Sequence, residues 1–445
     1  MKTASWITTC ALWFLVGCVG GEPGGFVVLQ REDVRFPEAD QVKPFEWTKA
    51  DSERAEKIIN DVREQIDVPG FSVGIVHGDE LVYANSFGYR SLSSQTPVRP
   101  DTLYHVGSVS KPITATLLMI LIEQGKVQLD DLIAGYLPDD VQLPTYQGER
   151  AAITIRHLAT HTAGLPKDPP NRRNVWHGLW LNPGQAKPYS IDELYTALGR
   201  TRLRFEPGTE CSYSNYGYSL LGHVMERAAA VPLEQLLKQE LFRPLGMGSS
   251  TVSLDAEQRS RFATHYWADD SARPRHDRPA TRFGEVFAYG GLVSSVEDLA
   301  RWISFQFEGR GGMLSVGMLQ IMRDPQPASD GQPLLLERDG LAMQMCIGWR
   351  VQWPDQQGGI INHSGEMDGH SAYVAYAPEA QLGVVVLANL GGARDRSSHP
   401  TAAVQLGIEL KQAVLYRALR WESALHHRMI LSRTRQARRS QLDTD

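Results

Sequence analysis

A serine and a lysine three residues apart, Ser108 and Lys111, form the first group whose residue types could carry out chemistry. A serine hydroxyl is a weak nucleophile until a base removes its proton, and a partly desolvated lysine can lose its own proton near neutral pH. The apolar run Ile113–Ile122 follows directly, which predicts a buried helix with Ser108 at its N-terminus. Residues three apart share one helical face, and the backbone N–H groups at that end favour developing negative charge. Because this pair arises often by chance, a capping serine with a surface lysine remains its alternative interpretation.

The second group is Tyr213, Ser214 and Asn215, directly before a predicted helix over Tyr216–Ala230. A tyrosine beside a lysine can shuttle protons, because the cation lowers the pKa of the phenol. The amide of Asn215 can orient a substrate carbonyl. Taken by itself, an aromatic loop that packs on the core explains this segment equally well.

The third group is His363, Ser364 and Gly365, at the end of a predicted strand over Gly359–Asn362. A glycine on a strand allows a substrate backbone to approach closely. The group is therefore a candidate for substrate binding.

The elements that must position these groups follow from the spacing of apolar residues. Strands near both chain ends, with helices between them, predict one sheet closed by the two ends together with a helical region. The predicted helices are Asp51–Ile66, Ile113–Ile122 with Gly125 as its C-cap, Thr154–Ala159 with Thr154 as its N-cap, Tyr216–Ala230 and Pro232–Leu241; the predicted strands are Phe71–Val76 and Leu81–Phe87 as a hairpin, then Gly359–Asn362, Ser371–Tyr376 and Leu382–Asn389; Lys167–Pro188 is a predicted loop.

In this order, the three groups resemble the motifs of serine hydrolases related to class C β-lactamases and penicillin-binding proteins. The broader group carries Ser-x-x-Lys and Lys-Thr-Gly, and its class C branch has Tyr-x-Asn as the middle motif. Other segments that look like family signatures are Tyr104–Thr114, Ile153–Pro166, Phe205–Gly208 and Tyr289–Leu299. The resemblance covers about Asp51–Leu410. It implies a β-lactamase/transpeptidase-like fold of the α/β (α+β) class, with an antiparallel sheet flanked by helices, a helical region, and neither metal nor cofactor.

Carried over position by position, the resemblance implies that Ser108 is the nucleophile, Lys111 its proton acceptor and Tyr213 the general base and acid. Asn215 and the third group would position the substrate. The backbone N–H groups of Ser108 and Glu366 would form the oxyanion hole. Attack by Ser108 would give an acyl-enzyme, from which water releases the acid.

The third motif departs from the family pattern, because His363 stands where β-lactamases and D-Ala-D-Ala peptidases mostly carry lysine. That lysine supplies a fixed positive charge to a substrate carboxylate, whereas a histidine is mostly neutral near pH 7 unless its pKa is raised. The departure predicts weaker affinity for the carboxylate of a β-lactam or a D-Ala terminus, and poor or absent penicillin hydrolysis. Histidine here also resembles the esterase and peptidase branches of the family.

Three functions remain open from the sequence. The favoured one is a serine hydrolase that cleaves an ester or amide in a small-molecule or peptide substrate, with a peptidoglycan peptide as one candidate. The second is a true class C-type β-lactamase or D-Ala-D-Ala carboxypeptidase. The third is a non-catalytic scaffold similar to penicillin-binding proteins, against which the intact Ser108, Lys111 and Tyr213 argue.

The composition agrees with a globular enzyme. Of 445 residues, 42% are hydrophobic and 22% are charged, and the net charge is -6, which excludes a disordered chain and a collagen and gives no support for nucleic-acid binding. Length alone predicts about three domains, but the resemblance places most of the chain in one. The prediction is a signal peptide over 1–17, a tether over 18–50, a hydrolase domain over 51–410 and a C-terminal helix with a basic tail over 411–445.

The N-terminus is typical of an export signal. Lys2 precedes the uncharged run Trp6–Val19, which is too short to span a bilayer. Leu15–Cys18 resembles the bacterial lipobox, in which the cysteine becomes lipidated, and Gly20–Gly25 follows as a flexible tether. An ordinary secretory signal cleaved nearby is the alternative. The prediction is a lipoprotein of the bacterial cell envelope, facing the periplasm and anchored in the membrane through Cys18.

Three further features have simpler interpretations. His157 and His161 lie four residues apart, as metal ligands can, but no third ligand is evident, so we interpret both as structural. Cys211 and Cys346 could pair in an oxidising periplasm, although two buried free thiols are favoured. The arginine-rich segment Arg417–Asp445 could touch anionic lipid, although a solvated tail is favoured.

Overall fold

The computed structural model describes residues 34–35, 45–64, 68–168, 190–268, 274–275, 283–309, 312–338, 341–356, 358–367, 369–391, 402–419 and 422–423. The predicted signal peptide with Cys18, most of the loop Lys167–Pro188 and most of the basic tail lie outside these residues.

The long strands lie near the two chain ends and the long helices mostly between them, as the sequence predicts. The strands are β1 (Val34–Arg35), β2 (Gly70–His77), β3 (Glu80–Ser91), β4 (Thr96–Pro97), β5 (Tyr104–His105), β6 (Thr145–Tyr146), β7 (Glu149–Arg150), β8 (Tyr266–Ala268), β9 (Pro274–Arg275), β10 (Val293–Ser294), β11 (Leu335–Arg338), β12 (Leu341–Met345), β13 (Arg350–Gln352), β14 (Ile360–Met367), β15 (His370–Ala377), β16 (Leu382–Ala388), β17 (Leu390–Gly391) and β18 (Glu422–Ser423). The α-helices are α1 (Lys49–Arg63), α2 (Ser110–Glu123), α3 (Ile155–Ala159), α4 (Ile191–Gly199), α5 (Asn215–Ala229), α6 (Leu233–Leu236), α7 (Arg243–Leu245), α8 (Ala256–Arg261), α9 (Val296–Glu308), α10 (Val316–Arg323) and α11 (Ala402–Leu410). Segments of 3-10 helix span Gly107–Val109, Ile133–Gly135 and Gly284–Tyr289, and π-helical turns span Leu237–Phe242 and Lys411–Tyr416.

A nine-stranded antiparallel sheet forms the centre of the fold, in the order β11-β12-β13-β14-β15-β16-β2-β3-β4. The predicted hairpin is β2 and β3, joined by a tight turn after His77. Strand β16 pairs with β2, so that Val384 lies opposite Ile75. This pairing confirms that the two ends of the chain close one sheet.

The sheet is covered on both faces, so β15 and β16 are buried along their whole length. Val385 and Leu387 pack into the core of the helical region, around α2. Val384 and Val386 point the other way and pack with residues of α1 and α11. The alternation of strand side chains thus divides the core between two layers.

Helix α2 lies in the middle of the helical core. Every residue from Ser110 to Leu121 is buried, and no side chain in its first turn is acidic. The helix ends at Gln124 and Gly125, and the φ of +70° at Gly125 is one that glycine adopts without strain. The short helix α3 begins at Thr154, whose side chain accepts a hydrogen bond from the N–H of His157, as predicted.

Two predicted boundaries are wrong, and four strands of the central sheet, β4 and β11 to β13, were not predicted. Strand β14 does not end at Asn362 but runs on through Met367, because its polar residues stay paired with β15. The α-helical part of the predicted helix Pro232–Leu241 is Leu233–Leu236, and a π-helical turn follows it. Strands β11 to β13 extend the sheet beyond β14, and nothing in the local sequence pattern indicated them.

Both body cysteines are free thiols in the structure, as favoured from the sequence. Cys346 is fully buried and its Sγ donates to the carbonyl of Arg323, whereas Cys211 is only partly buried. Burial raises the pKa of the Cys211 thiol to about 12. Neither thiol is therefore a ready nucleophile. Among the described helices, none is long and apolar enough to cross a membrane.

Candidate active site

Ser108 lies in the single 3-10 turn Gly107–Val109, which leads directly into α2. The turn is tight because strand β14 passes over it. A Cβ on Gly107 would lie 2.5 Å from the backbone nitrogen of Glu366, and Gly107 has a φ of +52°. Ser108 is partly exposed while its two neighbours are buried. The fold therefore presents this hydroxyl at a helix N-terminus, as predicted.

Lys111 is completely buried, with 0% of its surface exposed. Its Nζ donates hydrogen bonds to Oγ of Ser108 at 3.1 Å and to the carbonyl oxygen of Tyr289 at 2.7 Å. The rings of Tyr213, Tyr218 and Tyr289 surround Nζ of Lys111, with centroids 4.7, 5.8 and 5.5 Å away. A solvated surface lysine is therefore excluded, and Lys111 is held against the candidate nucleophile.

The Tyr213 segment leads into α5, and two hydrogen bonds of Ser214 hold the junction between them. Oγ of Ser214 donates to the carbonyl of Pro166 at 2.8 Å and caps α5 by accepting from the N–H of Gly217 at 2.9 Å. The ring of Tyr213 lies 6.4 Å from the ring of His363 and covers Nζ of Lys111. The structure thus brings the three sequence groups together at one place.

Asn215 is the first residue of α5, and Asp168 orients its amide. Nδ2 of Asn215 donates to Oδ1 of Asp168 at 3.0 Å. Because a carboxylate only accepts, this contact determines which end of the amide is nitrogen. Oδ1 of Asn215 is buried and accepts no hydrogen bond within the described part of the chain. Sequence reasoning did not find Asp168, which belongs to the loop that it could not interpret.

The glycine of the third motif also has a purpose within the fold, in addition to the substrate contact that the sequence predicts. A Cβ on Gly365 would lie 2.0 Å from the carbonyl oxygen of Val106 and 2.9 Å from the nitrogen of Ser108. The backbone that approaches Gly365 is therefore the nucleophile turn of the same chain. This contact sets the backbone of Glu366 beside Gly107, while the Glu366 side chain is exposed.

The other two residues of the third motif are buried in β14. Nδ1 of His363 lies 2.8 Å from the carbonyl oxygen of Ser364, so Nδ1 carries the proton in this contact. Oγ of Ser364 accepts a hydrogen bond from Nη2 of Arg350 at 3.3 Å.

Arg350 is a cation beside the third motif that sequence reasoning missed. It lies on β13 opposite Asn362 and is 1% exposed. Its charge acts on the centre of the site, because burial first, then the charges of Lys111 and Arg350, hold the pKa of His161 well below its usual value. An arginine inside an apolar run is unusual, since buried charges are rare in proteins. This arginine within an apolar run is the feature of the sequence that could have identified Arg350 as a candidate site residue.

His157 and His161 each use Nδ1 to accept a backbone hydrogen bond. The donors are the N–H of Thr154, at 3.2 Å, and the N–H of Ser214, at 3.1 Å. Within the described ranges, no group of three metal-ligating side chains could hold an ion. Both contacts support the interpretation of these histidines as structural rather than as ligands.

The fold and the serine–lysine pair define a class of protein, the serine hydrolases of β-lactamase type. A sequence profile described as Beta-lactamase matches residues 55–407, and the chain belongs to that family. The expected fold, a large antiparallel sheet with a helical region, is confirmed. The general function is confirmed at the level of a serine hydrolase.

Two curated relatives are similar over most of their length. The chain is 27% identical over 326 residues to the D-alanyl-D-alanine-carboxypeptidase/endopeptidase AmpH of Escherichia coli, covering 72% of this chain and 78% of AmpH. It is 28% identical over 354 residues to a beta-lactamase of Pseudomonas fluorescens, covering 74% of this chain and 91% of that protein.

Solved structures share the fold. The octameric penicillin-binding protein homologue from Pyrococcus abyssi is 26% identical with a TM-score of 0.66, over 82% of this chain and 77% of that one. A beta-lactamase/D-alanine carboxypeptidase from Yersinia pestis has a TM-score of 0.67 at 24% identity, over 82% of this chain and 99% of that one.

Proposed function

We propose that this protein hydrolyses an ester or amide through an acyl-enzyme on Ser108, with Lys111 and Tyr213 moving the protons. The observation that carries the proposal is the completely buried Lys111, whose Nζ lies 3.1 Å from Oγ of Ser108. A nucleophile and its base within hydrogen-bond reach are the minimum that such chemistry needs.

The steps follow from this geometry. Lys111, in its neutral form, takes the proton of Ser108 as Oγ bonds to the substrate carbonyl carbon. The resulting oxyanion lies against the backbone N–H groups of Ser108 and Glu366, which β14 holds together. The carbon–oxygen or carbon–nitrogen bond then breaks, and Tyr213, beside Lys111, passes the proton that Lys111 took to the leaving group. Water attacks the Ser108 ester and gives one proton through the same pair to Oγ of Ser108, whose bond to the acyl carbon breaks as the acid is released.

For the substrate, we propose an ester or amide whose leaving side ends in a carboxylate. Arg350 lies next to Ser364 and supplies the fixed positive charge that His363 does not supply. Asn215 and the third motif, His363 to Gly365, would position the rest of the substrate. The printed name of AmpH, a D-alanyl-D-alanine-carboxypeptidase/endopeptidase, supports a peptide with such a terminus.

A matched pair of peptides tests this proposal, one with a free D-Ala carboxylate and one with the same terminus amidated. The wild type is expected to hydrolyse the free acid with a kcat/KM at least about tenfold higher, since hydrogen bonds to charged groups are worth more than neutral ones. Arg350→Met is expected to remove this preference, and Arg350→Lys to keep part of it. Activity on the amidated peptide reports whether each variant is folded. An unchanged preference in Arg350→Met would contradict the role of Arg350, and no turnover of any ester or amide would contradict the proposed activity.

We also propose that the chain is a lipoprotein of the bacterial cell envelope, with a signal peptide over 1–17, a tether over 18–50 and a basic tail within 411–445. The lipobox-like segment before Cys18 supports the anchor. The glycine-rich run Gly20–Gly25 supports a flexible tether at the start of this segment. In its later part the structure describes strand β1, and Phe45 and Trp47 pack against the core.

Cys18→Ala is expected to move the protein from the membrane pellet to the soluble fraction, because the cysteine that takes the acyl chains is gone. Cys10→Ala is the matched control, since Cys10 lies within the signal peptide and its loss leaves the anchor intact. Fractionation of cells that produce each variant measures the outcome. A Cys18→Ala protein that still pellets with membranes would rule out this anchor.

A further inference from the structure

His161 contacts the Tyr213 segment at three points. Its carbonyl oxygen accepts a hydrogen bond from the N–H of Ser212 at 2.9 Å, and its Nδ1 accepts one from the N–H of Ser214 at 3.1 Å. Between these two contacts, its ring lies on the ring of Tyr213, with centroids 4.4 Å apart and planes tilted by 35°. One residue therefore holds the backbone on both sides of Tyr213 and the phenol ring itself.

The backbone of His161 is also unusual. Its φ of +62° lies in the left-handed region, which only a few per cent of non-glycine residues adopt. Such conformations persist only where the surroundings impose them, and they cluster at functional sites. Helix α3 ends at Ala159 with Thr160 as its C-cap, so this conformation lies where the chain turns from α3 towards the Pro166 segment that binds Ser214.

The contact with Ser214 also requires an uncharged ring. An Nδ1 that accepts a hydrogen bond carries no proton, so the proton of the imidazole lies on Nε2. Burial and the charges of Lys111 and Arg350 hold the pKa of His161 well below its usual value. The aromatic neighbours are Tyr213 and Tyr218, whose centroids lie 4.4 and 5.1 Å away. His161 is thus neutral at neutral pH and adds no further charge beside Lys111.

We propose that His161 is a positioning residue for proton transfer, which holds the phenol of Tyr213 over Nζ of Lys111 through the acceptor Nδ1 and the stacked ring. The proposal rests on the proposed role of Tyr213 in the acyl-enzyme reaction. It assigns to this histidine a part in turnover, in addition to the structural one that the sequence indicated.

Two substitutions separate the acceptor from the ring. Phenylalanine keeps a stacked ring and loses the acceptor, whereas asparagine keeps an acceptor oxygen, tolerates a positive φ and loses the ring. We expect His161→Phe to lower kcat by about tenfold to a hundredfold, because small displacements of a reacting group cost this much. KM should stay within about twofold, since no substrate contact is lost. His161→Asn should recover most of the lost kcat.

The pH profile gives a readout that packing alone would not change. The accepting form of Nδ1 is present above the pKa of His161 and is lost as pH falls through it, so the wild-type kcat should decline on the acid side, at a pH well below the ordinary range of a histidine. An amide does not take up this proton, so the acid limb of His161→Asn should lie at lower pH. His157→Asn is the matched control, because His157 also accepts a backbone hydrogen bond at Nδ1, from the N–H of Thr154. Its kcat and acid limb should equal those of the wild type.

The outcomes distinguish this proposal from the proposed function. If the wild type neither turns over an ester nor reacts with a fluorophosphonate, the acyl-enzyme function itself fails. If the wild type is active and His161→Phe, folded by its thermal unfolding, keeps the wild-type kcat, only the role of His161 fails. Should His161→Phe not fold, the acid limb of His161→Asn decides, and an unshifted limb overturns the proposal.

Discussion

Ser108→Ala is expected to abolish hydrolysis, with kcat lowered by at least about 10⁴-fold. The substitution removes the only atom that can form the proposed acyl-enzyme, and Lys111 cannot replace it because its Nζ is completely buried. Ser108 is partly exposed, so the melting temperature should change little. Steady-state hydrolysis of an ester and covalent labelling by a fluorophosphonate probe measure the two expected losses.

Ser110→Ala is the matched control, because it removes the neighbouring hydroxyl of the same segment. Oγ of Ser110 accepts a hydrogen bond from the N–H of Leu292, so its loss should cost stability while labelling persists. Labelling that survives in Ser108→Ala would place the nucleophile elsewhere. A wild type that takes no label and hydrolyses no ester would instead favour the non-catalytic scaffold.

Gly365→Ala is expected to lower kcat/KM by about 10²–10³-fold, the loss that follows when one oxyanion-hole donor is removed. The added Cβ would lie 2.0 Å from the carbonyl oxygen of Val106 and 2.9 Å from the nitrogen of Ser108. Both partners are backbone atoms, so strand β14 and the nucleophile turn must move apart. The proposed donors, the N–H groups of Ser108 and Glu366, would then no longer converge on one oxygen, and the melting temperature should also fall.

Gly135→Ala provides the control for this change, because a Cβ at Gly135 would meet no atom within 4 Å. It should leave both kcat/KM and the melting temperature unchanged. The rate of labelling by a fluorophosphonate, measured at a temperature where Gly365→Ala is folded, separates lost catalysis from lost folding. A Gly365→Ala protein that keeps the wild-type kcat/KM would show that this contact does not set the oxyanion hole.

Much of the scaffold could be predicted because it depends on local patterns. Helix α2 carries no charge from Pro112 to Ile122 and is dense in leucine and isoleucine, and Thr154 caps α3 through its own side chain, so both are visible in a short stretch of sequence. Apolar, β-rich runs and turn residues marked the strands β2, β3, β15 and β16 in the same way. Ser108, Lys111 and Tyr213 were found because their motifs are compact.

The remaining features depend on contacts between distant segments, which no local pattern reports. Strand β14 continues past Asn362 only because β15 pairs with it, and the reason for Gly365 is the turn before α2. Arg350 can be assigned to the site only because β13 pairs with β14, which brings its guanidinium to Ser364. Likewise, His161 is an ordinary histidine until the fold brings residues 212 to 214 against it.

The pairing of β2 with β16 constrains how the enzyme matures. His77 pairs with Leu382, roughly 300 positions later in the chain, and contacts this far apart close slowly. The turn that carries Ser108 belongs to the earlier part of the chain, whereas Gly365 and Glu366 arrive only with the later strands. A nascent chain that has been synthesised through Ser108 and Lys111 still lacks Gly365 and Glu366, which lie beside them in the folded protein. Hydrolytic activity should therefore appear late in biogenesis, once the C-terminal strands have joined, and a prematurely terminated chain would carry the nucleophile without the means to use it.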